Sequence, residues 1–202
     1  MRRGARLVVF AAIVIAVVLW LVACAPGDAA QSPGYVSGDG TVTEWAVGER
    51  GEPVELTGTS FEDEPVDVAD FRGQAVLLNT WYAACPPCRA EAPDLVAADE
   101  RDDVQVIGIN SRDDAATALA FDRTFSVGYP SIDDGDGKAT AQLQGLVSIN
   151  AVPTSLILDA EGRVAARIVG SVEPSTLTAL LDAAASSAVA SGGAAPDAEA
   201  AG

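Results

Sequence analysis

Histidine is missing altogether from the 202 residues. Its absence removes every nucleophilic arrangement built on a Ser-His or Cys-His pair, and most catalytic zinc sites with them. Methionine occurs once, at Met1, so thioether ligands for soft metals are lacking too. Positive charge is scarce, with 12 Lys plus Arg against 29 Asp plus Glu and a formal charge of −17. A surface of that sign repels phosphate backbones, so nucleic acid is not an expected partner. Cysteine is limited to Cys24, Cys85 and Cys88, which with no histidine cannot supply the four ligands of a structural zinc site. No metal is expected.

What is present divides the chain into four stretches. Arg2, Arg3 and Arg6 precede Leu7 to Ala23, an uncharged and mostly aliphatic run with the basic and apolar regions of an export signal. Leu21-Val22-Ala23-Cys24 closes it and resembles a bacterial lipobox, in which Cys24 is acylated and becomes the first mature residue. An uncleaved membrane helix is the alternative, since the run reaches the lower limit of the roughly 17 to 25 residues that span a bilayer. On either reading the basic end stays cytoplasmic and the rest of the chain lies outside the cytoplasm, held at the membrane. Residues 24–50 shift to Gly, Ser, Pro, Asp and Thr and read as a flexible linker. Residues 51–185 form one domain, and the Ala-, Gly- and Ser-rich acidic tail at 186–202 has too few large apolar groups to pack.

Within the domain, Ala75 to Thr80 is an apolar run of strand length whose lack of alternation points to burial on both faces, as in a central parallel strand. Arg89 to Ala98 reads as a helix interrupted at Pro93, Val104 to Asn110 as a strand, and Asp113 to Phe125 as a helix capped by Asp113 or Asp114. Ser155 to Asp159 and Val164 to Val169 read as an antiparallel hairpin, with Gly162 free to take a positive φ in the turn. Ser175 to about Ala185 closes the domain as a helix. This order implies an α/β domain with a central mixed β-sheet flanked by helices on both faces. The acidic stretch Asp134 to Lys138 is too short for a calcium loop and reads as a solvated loop before a helix.

The chemistry is expected at Cys85-Pro86-Pro87-Cys88, where a strand turns into a helix. Thiols three residues apart lie within reach of a disulfide across one helical turn. The helix N-terminus stabilises a thiolate at Cys85, taken as the exposed and attacking thiol, and Cys88 stands ready to resolve a mixed disulfide. A purely structural staple would close too short a loop to stabilise much. No cofactor is expected beyond this redox-active disulfide.

From about Val66 to Val172 the sequence resembles the TlpA and ResA group of thioredoxin-like proteins, through Asn79-Thr-Trp-Tyr-Ala-Ala-Cys-Pro-Pro-Cys-Arg-Ala-Glu-Ala-Pro93 and Val152-Pro153-Thr154. The resemblance implies a thioredoxin-like fold. It also implies that Pro153 is preceded by a cis peptide, in a loop facing Cys85 whose backbone, Val152 included, pairs with substrate. By the same resemblance Glu91, three residues after Cys88, assists proton transfer to and from the inner thiol. Trp81 stands as a candidate substrate contact, although core packing is the commoner role of such a tryptophan. The Trp usual before the first Cys is replaced by Ala84, and Asn79 occupies the place of the buried Asp of thioredoxin.

The function implied is an extracytoplasmic thiol-disulfide oxidoreductase that reduces client disulfides, with apocytochrome c among its clients and electrons from an integral membrane thiol relay. The same dithiol run backwards would be an oxidant. A peroxiredoxin-related thiol peroxidase would need Thr where Tyr82 stands, and a thioredoxin-like copper-delivery protein would need a histidine.

Overall fold

A computed structural model describes residues 36–37, 40–147 and 150–191. The apolar N-terminal run, Cys24 and most of the C-terminal tail lie outside the described residues. Among the described residues no helix is long and apolar enough to cross a membrane.

Seven strands form one sheet: β1 (Val36–Ser37), β2 (Gly40–Glu44), β5 (Ala75–Thr80), β6 (Val104–Asn110), β7 (Ser131–Asp133), β8 (Thr154–Leu158) and β9 (Val164–Val169). Their spatial order is β1-β2-β9-β8-β5-β6-β7. β5 runs parallel to β6, and β6 to β7, while β8 and β9 are antiparallel, so the sheet is mixed as the sequence implies. A separate hairpin joins β3 (Thr57–Thr59) to β4 (Pro65–Asp67).

β5 explains why its sequence does not alternate, because every residue from Ala75 to Thr80 is buried. Ala75 and Leu77 face one layer with Ile157 of β8 and with Leu95, Leu177 and Leu181, which are carried by helices α1 (Pro86–Asp99) and α4 (Pro174–Ser191). Val76 and Leu78 face the other, with Leu56, Val68, Ile107 and Leu143. That second layer is covered by the hairpin and by α3 (Lys138–Gln142). A third cluster, at the C-terminal end of β5, joins Trp81, Cys85, Cys88 and Ala92 to Ala118 and Phe121 of α2 (Ala115–Phe125). Helices on both faces of a mixed sheet, with the dithiol at the end of its central strand, make a thioredoxin-like fold.

Several expectations need correction. The linker does not extend to residue 50: Gly40–Glu44 pairs with β9, and Val42 is only 2% exposed. Helix α4 continues to Ser191, past the expected domain end at Ala185. Asp134 is not solvated: it is buried, and its carboxylate accepts from the backbone of Ala139 at 2.7 Å and Thr140 at 3.0 Å and from the Thr140 hydroxyl, fixing the start of α3. The hairpin turn follows the sequence reading, with Gly162 at φ 81°.

Candidate active site

Residues 81–85 leave the C-terminal end of β5 and deliver the chain into α1. Pro86 and Pro87 occupy the first helical positions, where a missing N–H costs nothing and φ is already set. Cys85 is the N-cap, and its Sγ accepts from the backbone N–H of Cys88 at 3.2 Å. Cys85 and Cys88 are joined as a disulfide, S–S 2.10 Å, with Cα atoms 5.3 Å apart. The expected exposure of Cys85 does not hold: it is 1% exposed and Cys88 2%. Both sulfurs belong to an apolar cluster with Phe61, Trp81 and Phe121, against which the partly buried Tyr82, Ala83 and Val152 pack.

The Val152-Pro153 peptide is cis. Pro153 is buried, and its carbonyl accepts from Gly170 N–H at 2.9 Å. The next N–H, of Thr154, donates to Thr80 Oγ1 at 2.9 Å, and that hydroxyl donates to the Thr154 carbonyl at 3.2 Å. Two polar groups of this loop are therefore turned into the protein, while Val152 packs on the dithiol cluster.

Glu91 lies one turn along α1 from Cys88. Asn79, buried in β5, donates its amide N–H groups to Glu91 Oε1 at 2.9 Å and to Ser155 Oγ at 3.0 Å. Burial pushes the Glu91 carboxyl up to about 7, against the Asn79 hydrogen bond, which favours the charged form; the negative charge of Asp94 adds to the rise. A carboxyl that exchanges its proton near neutrality can act as either acid or base for a neighbouring thiol.

Trp81, put forward as a substrate contact, is a core residue. It is 5% exposed, stacks on Phe121 with centroids 4.4 Å apart, and donates its indole N–H to Ser131 Oγ at 3.2 Å. Gly108 makes room for it, since a Cβ there would collide with Ser131 Oγ and the indole nitrogen.

Sequence reasoning missed the supporting residues. Asn79 is a donor that orients Glu91 and not merely a lost acid, Thr80 pins the proline loop, and Arg89 donates to the Ala83 carbonyl at 3.2 Å while lying over Phe125. A polar pair, Asn79-Thr80, at the end of an otherwise apolar buried strand was the available signal, because buried polar groups need partners.

Residues 46–182 match the family described as Redoxin. Thiol-disulfide oxidoreductase ResA of Bacillus cereus is 27% identical over 116 residues, which are 55% of this chain and 64% of that protein. Thiol:disulfide interchange protein DsbE of Pseudomonas aeruginosa is 34% identical over 106 residues, 52% of this chain and 56% of that one. The matched region thus spans less than two thirds of either relative. Among solved structures, a DsbF homologue from Corynebacterium diphtheriae is 34% identical and superposes with a TM-score of 0.65, covering 75% of this chain and 96% of that one.

Proposed function

The chain belongs to the Redoxin family, with a ResA- and TlpA-like thioredoxin fold, and from that premise we propose that it is a thiol-disulfide oxidoreductase working outside the cytoplasm through Cys85 and Cys88. The observation that carries this reading is a disulfide whose first sulfur caps a helix, with a cis-proline loop and a neutral-range carboxyl beside it. In the reduced protein the Cys85 thiolate attacks a client disulfide, and the displaced client sulfur leaves as thiolate. Glu91 takes the Cys88 proton, Cys88 attacks Cys85 Sγ, and the second client sulfur departs. The client gains two electrons and the Cys85–Cys88 disulfide closes.

Val152 is the residue of the proline loop proposed to pair with the client backbone. Clients are exported proteins with thiols or disulfides, of the kind handled in cytochrome c maturation, and electrons return through an integral membrane thiol relay. Acylated Cys24, or the uncleaved apolar run, holds the domain at the membrane surface. The names of ResA and of the DsbE interchange protein support the reaction class.

Titration of the full chain against thiol redox buffers, with Cys88→Ser as control, tests the reading. A two-electron transition at or below roughly −230 mV supports a reductant, and one above about −180 mV supports the oxidant direction instead. Absence of any transition overturns both.

A further inference from the structure

We propose that Asp113, held by Asn110, is a positioning residue that fixes the loop carrying the nucleophile; this rests on the oxidoreductase reading above. Two acids open α2 in the sequence, and one suffices as a cap. Asp114 is that cap, its carboxylate accepting from Thr117 N–H at 2.8 Å. Asp113 is therefore not needed by the helix, and its Oδ2 reaches across to accept the N–H of Ala83 at 2.6 Å, two residues before Cys85.

The carboxylate is itself held. Asn110, fully buried at the C-terminal end of β6, donates to the same oxygen at 2.8 Å, and its own side-chain carbonyl oxygen accepts from the N–H groups of Arg112 at 3.0 Å and Asp113 at 3.1 Å. Its neighbour Arg112 lies over the Tyr82 ring, 4.4 Å from the centroid. The strand beside β5 thus grips the loop, whose residues Ala83 and Ala84 have no side chains long enough to anchor it. Trp81 N–H donates to Ile109 O at 3.0 Å and Cys85 N–H to Tyr82 O at 3.1 Å. With Ala83 released, the turn that presents Cys85 as N-cap of α1 loses a charge-assisted tie to the β6–α2 connection.

The position of the carboxylate and its charge predict effects of opposite sign. A negative charge near Cys85 disfavours its thiolate, so removing charge alone would speed reaction of the thiol. Losing the hold on Ala83 would slow it. In the reduced full chain, the iodoacetamide rate constant of Cys85 at pH 7 is followed by peptide mass spectrometry that separates it from Cys88 and Cys24. Asp113→Ala should lower it about tenfold, the equivalent of one lost hydrogen bond. Asp113→Asn, which keeps an acceptor oxygen in place, should stay within about threefold of the unaltered protein.

Equal rates in Asp113→Ala and the unaltered protein, or equally slowed rates in both variants, overturn the positioning role. If Asp113→Ala does not fold, Asn110→Ser is read instead, and a rate unchanged from that of the parent overturns the proposal. Failure of the oxidoreductase reading is seen separately, as a parent protein whose dithiol gives no redox transition.

Discussion

Glu91 carries two consequences at the scale of a single residue. Because it exchanges its proton at about pH 7, closure of the Cys85–Cys88 disulfide should quicken as pH rises through neutrality. Glu91→Gln should remove that inflection and slow closure at least about tenfold, measured by stopped-flow fluorescence after mixing with a disulfide. Stability moves the other way. A carboxyl raised from 4.5 to about 7 is harder to ionise folded than unfolded, so its contribution is fully present below pH 4.5 and is lost as pH rises towards and through 7. The loss amounts to about 3 kcal/mol at most. Urea titrations of the oxidised protein should show it, and Glu91→Gln should flatten the curve, leaving the smaller share of Asp122, which burial raises to about 6. Among these residues the two cysteines were legible from spacing, and Glu91 and Pro153 from the family resemblance. The burial of Cys85 was not, because Phe61, Phe121 and Val152, which build the cluster around it, are far from it in sequence.

At the scale of elements, β2 is the piece that sequence patterning hid. Gly40-Thr-Val-Thr-Glu44 lies in a Gly-, Ser- and Thr-rich stretch and sends Val42 fully into the core, too little periodicity to separate it from a tether. β3, β4 and β7 have three residues each and fail for the same reason. β5 and the β8–β9 hairpin were legible because one is buried on both faces and the other turns at a glycine. Starting the chain at Gly51 would remove β2 and also Arg50, whose Nη1 meets Asp159 Oδ2 at 2.9 Å with both side chains buried. Asp159 would keep Arg163 alone as a cationic partner among the described residues, and breaking a buried pair costs about 3 to 5 kcal/mol. The thermal midpoint of a chain starting at Gly51 should therefore fall by at least about 6 °C relative to one starting at Val36, as read by circular dichroism.

For the whole molecule the dominant property is its charge of −17, which opposes compaction through self-repulsion. Raising NaCl from about 10 mM to about 0.5 M shortens the screening length from roughly 30 Å to a few Å and should lift the thermal midpoint by about 3 °C or more in a melting experiment. The mixed sheet with helices on both faces was legible at this scale from element order alone, whereas the path of its outer strand β1 was not. The burial of the disulfide sets a different kind of boundary. With Cys85 1% exposed in a cluster that includes Phe61 and against which Tyr82 and Val152 pack, the oxidised protein resembles a contact under thin insulation in a circuit. A sulfur so little exposed should exchange more slowly with a small thiol than an open disulfide does, without altering the potential at which the two come to balance.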